Sequence, residues 1–197
     1  MAYRLHSNHD TVPVEKQVMR YVSIDPGQNN FVIRIEKRIG SAVTKLCSRV
    51  VTLEQDKHVI NFENKRTSWI TELHSVLDGY SQYYPEVDIA LIERQMPINT
   101  RMKCMESVIA SYFILKYPHI VVVDLSSKMK AKIFGADKLK HTELKKWSPK
   151  LANKLTRIRR DTKYTECIAD RVKVDDDADS LVQIEAFVIY VGYASTI

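Results

Sequence analysis

Carboxylates stand at three places in this chain where folding could bring them together. Asp25 closes the apolar run Tyr21-Val22-Ser23-Ile24 and is followed by the breaker Pro26-Gly27. Glu93 closes a second run, Ile89-Ala90-Leu91-Ile92, and a third group, Asp175-Asp176-Asp177-Ala178-Asp179-Ser180, opens an apolar segment reaching Ile189. Helical residues three apart share a face, so Asp176 and Asp179 point one way and Asp177 another. Four carboxylates converging without cations would repel and raise one another's pKa values, so a cluster of Asp25, Glu93, Asp176 and Asp179 calls for bound metal. Oxygen-only ligands suit Mg²⁺ or Mn²⁺ rather than zinc. Two such ions about 3.5 to 4 Å apart activate a water and stabilise the leaving oxygen of an in-line phosphodiester displacement. Each motif also has a plainer reading. Asp-Pro-Gly makes a turn, and acids at a helix start complement its dipole and cap free N–H groups.

The elements that must position these acids follow from periodicity. Tyr21 to Asp25 reads as a strand, folding back as a hairpin onto Phe31-Val32-Ile33-Arg34-Ile35, with a third β-like stretch from Ala42 to Leu53 after Gly40-Ser41. From Asn64 the period changes: Trp69, Leu73, Val76, Leu77 and Tyr80 mark an amphipathic helix that stops near Pro85. Asp88 to Glu93 reads as a buried strand. Asn99 or Thr100 caps a helix to about Tyr117, and His119 to Leu125 makes a fifth strand. Beyond it, Trp147-Ser148-Pro149 splits two helical segments, and the Asp cluster begins the last helix. Residues 1–20 are polar and read as a flexible arm, leaving 21–197 as one domain, with no internal repeat or low-complexity linker.

Composition narrows the function classes. With 197 residues and 45% apolar content, the chain suits one domain with a core that needs no staples. Cys47, Cys104 and Cys167 are odd in number and lack CxxC spacing, which suggests reduced intracellular thiols rather than a zinc site or disulfide scaffold. No run of about 18 apolar residues is present, nor the apolar core of a signal peptide, so a soluble protein without a membrane partner is expected. The net charge of +6 is uneven. Residues 126–173 hold 15 Lys and Arg against 5 Asp and Glu, while the remainder is slightly acidic. A concentrated basic segment favours a polyanion, because Lys and Arg on phosphates release condensed counterions. A solvated, mixed helix face is the alternative.

Ile24-Asp25-Pro26-Gly27, Leu91-Ile92-Glu93-Arg94-Gln95 and Lys173-Val174-Asp175-Asp176-Asp177-Ala178-Asp179-Ser180, in that order, resemble the RuvC-type Holliday junction resolvases of the RNase H-like superfamily. The last two motifs most resemble resolvases of poxviruses and related large DNA viruses, whereas Asp-Pro-Gly is closer to the bacterial form. The likeness spans roughly Tyr21 to Tyr190. It implies an α/β, RNase H-like fold with a five-stranded mixed sheet flanked by helices. It also implies metal ligation and catalysis by Asp25, Glu93, Asp176 and Asp179 around two Mg²⁺ ions, with Mn²⁺ as a substitute. The family places a lysine near the scissile phosphate after the fifth strand. Lys140 matches that position best, and Lys130 is comparable to another basic DNA contact. Candidate DNA contacts are therefore Lys128, Lys130, Lys132, Lys138, Lys140 and, beside the site, Arg94.

The implied activity is resolution of four-way and other branched DNA by a homodimer making paired nicks that leave 5′-phosphate and 3′-hydroxyl ends. A poxvirus-like setting implies the host cytoplasm. Three rivals follow from the same residues. An RNase H-like nuclease would cut RNA in RNA–DNA hybrids, and a non-catalytic nucleic-acid-binding protein would use its acids as caps. An actin-like ATPase is disfavoured, because only 5 Gly occur and no second phosphate loop is visible.

Overall fold

Alternating and continuous apolar runs collect into one mixed sheet. The computed structural model describes residues 3–5, 11, 18–41, 46–62 and 68–192. The strands are β1 Tyr3–Leu5, β2 Val18–Asp25, β3 Phe31–Ser41, β4 Leu46–His58, β5 Ile89–Arg94 and β6 Val121–Ser126. The helices are α1 Ser68–Asp78, α2 Thr100–Lys116, α3 Lys128–Ile133, α4 His141–Arg159, α5 Thr162–Cys167 and α6 Asp175–Tyr190. The sheet order is β1-β6-β5-β2-β3-β4. β2, β5 and β6 run parallel, while β3, β4 and β1 join antiparallel.

The period-two alternation sorts side chains to two faces. Val22, Ile24, Ala90, Ile92 and Val122 face α1 and α2, where they meet Leu73, Ile109 and Phe113. Tyr21, Ile89, Leu91, Val121 and Val123 face α6 and α3, meeting Ile184, Phe187 and Met129. With both faces covered, β5 and β6 read as continuous apolar runs. Outside α6 lies a further layer, where Ala152, Leu155 and Tyr164 from α4 and α5 pack on Ala178, Leu181 and Val182.

The sheet has six strands where five were expected. The sixth is Tyr3–Leu5, within the stretch read as an arm, pairing with Leu125 to Val123 of β6. Three residues are too short to show a period, and what holds them is tertiary: Tyr3 meets Phe187 and Tyr190 edge-on at 6.1 and 5.8 Å. The third strand of the hairpin set also extends past Leu53, to His58. Its polar end stays in the sheet because Thr52 and Gln55 are buried against charged partners. The expected split at Trp147-Ser148-Pro149 is corrected too, since α4 runs unbroken through Pro149. The rung lost there is offset by the burial of Ser148, Ala152 and Leu155 around it. Ala42 to Lys45, Asn64 to Thr67, His6 and His9 lie outside the described residues.

Between β3, β4 and the helices above them the filling is ionic. Arg34, fully buried, donates to Glu36 at 2.7 Å and to Asp161 at 2.9 Å. Asp161 accepts from the Thr52 hydroxyl at 2.6 Å and from the Thr52 backbone N–H at 3.0 Å. Arg38 bridges Glu36 at 2.5 Å and Glu185 at 2.7 Å, and Arg159 reaches Glu185 at 2.6 Å. Burial pushes the Glu185 carboxyl up, but Arg38 and Arg159 outweigh it and leave the pKa below the ordinary value. The network fastens the end of α4 and the start of α5 to the hairpin, and α4 to α6. Asp161→Ala leaves Arg34 buried with one carboxylate fewer, so a loss of about 3 kcal/mol is expected in urea denaturation. A loss under about 1 kcal/mol would show that the clamp contributes little.

Candidate active site

The strand register levels the first two acids. Ile24 pairs with Ile92, so Asp25 and Glu93 each lie one residue beyond that rung, at the carboxyl ends of adjacent parallel strands. Glu93 in turn pairs with Leu125 of β6, whose chain continues into α3. The turn after Asp25 is tightly drawn. A Cβ on Gly27 would meet the Asn30 carbonyl oxygen at 2.7 Å, so any other residue would force this turn's backbone to move. The turn reading and the site reading of Asp-Pro-Gly are therefore compatible.

The third group arrives on the first turn of α6, which crosses the sheet. Asp176 and Asp179 turn towards the strand ends, while Asp177 is buried and accepts from the Gln55 amide at 3.1 Å, with Arg171 as its ion-pair partner. Burial pushes the Asp177 carboxyl up, against the opposing pull of Arg171 and Gln55. Ser180 shares this inward side, bonding to Gln55 and to the Asp177 carbonyl. One turn thus carries two faces, an inner one that fixes the helix to β4 and an outer one that presents acids.

The four acids meet electrostatically at Asp25. Burial raises its pKa well above the ordinary carboxylate value, and Glu93, Asp179 and Asp176 raise it further against the pull of Lys130. Lys130 lies among them, its Nζ 3.2 Å from Glu93 Oε2 and 3.1 Å from Asp179 Oδ2. Burial alone would lower its pKa, but Glu93, Asp179 and Asp25 reverse that and hold the ammonium charged. Met129 and Ala131 anchor α3 on either side, which fixes Lys130 in place. On the opposite flank, Lys57 Nζ lies 2.8 Å from Asp176 Oδ2, and Lys173 lies 3.7 Å from both Asp175 and Asp176. Ser148 of α4 donates to Asp179 Oδ1 at 2.5 Å.

The other candidates fall elsewhere. Lys140, matched by resemblance to the position near the scissile phosphate, is the exposed N-cap residue of α4, its backbone N–H donating to Glu143 Oε2 at 2.7 Å. Lys130 holds the central placement instead. Lys128 lines the cleft above the acids, and Lys132 and Lys138 are exposed on the surrounding surface. Arg94 lines the same cleft and reaches the Asp124 carbonyl at 3.5 Å. Sequence reasoning missed Lys57 and Ser148. A lysine in a polar strand end and a serine before a proline carry no periodic signal, and both contacts join distant elements.

Among the described residues, no three His, Cys, Asp or Glu side chains are already drawn into a metal cage. Lys130 lies within ion-pair distance of both Glu93 and Asp179. The donor set nevertheless fits a hard divalent cation. It offers carboxylate oxygens only, and Asp25 is pushed up by burial first and then by Glu93, Asp179 and Asp176, a crowding of acids that a divalent cation would relieve. No helix among the described residues is long and apolar enough to cross a membrane.

No protein-family profile matches the chain. Over 117 residues it is 30% identical to uncharacterized protein 97L of Invertebrate iridescent virus 3, a match covering 59% of this chain and 55% of that protein. The chain is thus matched to only about half the length of this relative. Among solved structures, the Fowlpox virus resolvase, determined in complex with substrate Holliday junction DNA, superposes with a TM-score of 0.60 at 17% identity, covering 88% of this chain and 99% of that one. The yeast mitochondrial Holliday junction resolvase Ydc2 gives 0.61 at 16% identity, covering 92% and 83%. RuvC of Thermus thermophilus gives 0.57 at 12% identity, covering 89% and 98%. At such identities the likeness is one of architecture, and it agrees with the resemblance read from the three acidic motifs: the chain has the fold of the RuvC-type Holliday junction resolvases.

Proposed function

We propose that this protein is a divalent-metal-dependent endonuclease that resolves four-way and other branched DNA by paired phosphodiester hydrolysis. The observation that carries the reading is the meeting of Asp25, Glu93, Asp176 and Asp179 at the carboxyl ends of two parallel strands, with Lys130 between Glu93 and Asp179. The fold likeness and the basic segment of residues 126–173 support it.

Asp25, Glu93, Asp176 and Asp179 would hold two Mg²⁺ ions, or Mn²⁺ in their place. When bound, the ions supply an activated water and stabilise the leaving oxygen. The residues of the chain do the rest. Ser148 holds Asp179 in orientation. Lys130, within ion-pair distance of Glu93 and Asp179, would set its ammonium against the scissile phosphate. Lys128, Lys132, Lys138 and Lys140 take the flanking backbone, so recognition rests on shape and charge rather than base edges. Hydrolysis leaves 5′-phosphate and 3′-hydroxyl ends. A four-way junction presents two equivalent strands, and a two-fold homodimer matches that symmetry. The iridescent virus relative supports a viral setting, in which the enzyme would process viral genomes in the host cytoplasm.

Asp25→Asn and Asp179→Asn should each lower Mg²⁺-dependent cleavage of a synthetic immobile junction by about a thousandfold, the scale of losing a cation's several kcal/mol. Junction binding in a gel-shift assay should stay within a few-fold. Retained cleavage would overturn the assignment, and faster cutting of an RNA–DNA hybrid would move the substrate. Lys130→Met should slow cleavage at least tenfold more than Lys140→Met.

Asp25 has its folded pKa raised, so the associated stability is present below the ordinary carboxylate value and lost as pH rises through the raised one. Asp25→Asn should therefore raise the metal-free unfolding midpoint at pH 7, with the gain fading as pH falls towards the ordinary carboxylate range. Adding Mg²⁺ should stabilise the wild type more than the variant. An unchanged metal-free midpoint would show that the acids do not strain the fold.

A further inference from the structure

The cleft over the acids is larger and more apolar than a phosphate and two ions require. It encloses about 620 Å³, within the range of sites that take a whole small ligand. Glu93, Asp176 and Asp179 line it, together with Lys128 and Lys145. The apolar part of its lining is Met96, Ala131, Leu139, Leu144 and Trp147. A sugar-phosphate backbone has little apolar surface to set against an indole and two leucines. A nucleobase does, and only when it has left the stack.

We propose that this apolar lining receives one unstacked nucleobase next to the scissile phosphate, an inference that rests on the nuclease reading above. The two lysines supply charge for the phosphates on either side of such a base. The lining is prepared in advance, because Trp147 packs on Phe134 with ring centroids 6.4 Å apart. It is also coupled to the acids. Ser148, the residue after Trp147, is the one that orients Asp179, so a single turn of α4 both shapes the lining and sets a site carboxylate. Unstacking costs least where base pairing is already interrupted, as at a branch point. The pocket therefore selects branched DNA over continuous duplex without reading base edges.

The test uses the full chain, Mg²⁺ and a set of immobile four-way junctions, each with one abasic nucleotide near the scissile phosphate. One position should slow wild-type cleavage by roughly tenfold to a hundredfold, the scale of one base–aromatic stack. Leu144→Ala should cut the intact junction more slowly and show no further penalty at that same position. Leu139→Ser, on a residue 37% exposed, gives the same non-additivity at a site that the fold tolerates. Equal wild-type rates on all abasic junctions would overturn the pocket, as would penalties that multiply in both variants. Failure of the wild type to cut even the intact junction would overturn the nuclease reading and the pocket with it.

Discussion

Like charges held close in a half-enclosed place set the terms for this molecule. Asp25, Glu93, Asp176 and Asp179 come from β2, β5 and α6, and nothing in their own chemistry favours the meeting. The sheet imposes it. Parallel pairing levels Asp25 with Glu93, and the packing of Ile184 and Phe187 on β5 and β6 holds α6 across the strand ends. In exchange the fold supplies counter-ions of its own, Lys130 on one flank and Lys57 on the other. Each ammonium relieves part of the repulsion and leaves a remainder that a divalent cation can neutralise.

That arrangement explains why α6 is built with two different faces. Asp177 and Ser180, turned inward to Gln55 and Arg171, fasten the first turn of the helix to β4. Asp176 and Asp179 are thereby aimed outward by a rigid support rather than by their mutual contacts. A charged helix start could be read as simple capping, but here the N-cap is Val174, whose side chain makes no capping bond. Asp176, Asp177 and Asp179 are engaged in tertiary contacts instead.

Much of this was legible before any fold was known. β2 and β5 announce themselves because an apolar run ends in an acid and then a breaker, and the spacing of Asp176 and Asp179 follows from helical geometry alone. The layered α/β architecture follows from the switch between period two and period 3.6. What was hidden is what depends on partners far away in the chain. Fifteen basic residues crowd residues 126–173, so spacing could not single out Lys130 from Lys140; only the anchoring of Met129 in the core does. Lys57 meets Asp176 across 119 positions, and Ser148 meets Asp179 across 31, contacts that no local pattern announces. Tyr3–Leu5 was missed for the related reason that a three-residue strand has no period to detect.

The ionic layer under α4 bears on how this protein can change over generations. Arg34, Glu36, Arg38, Asp161 and Glu185 lean on one another with almost no water to take over a vacated role. Altering any member alone strands a charge, whereas replacing the group by well-packed apolar residues in one step can cost nothing. Drift through single substitutions therefore meets a barrier at these positions that it does not meet in the neighbouring aliphatic layer.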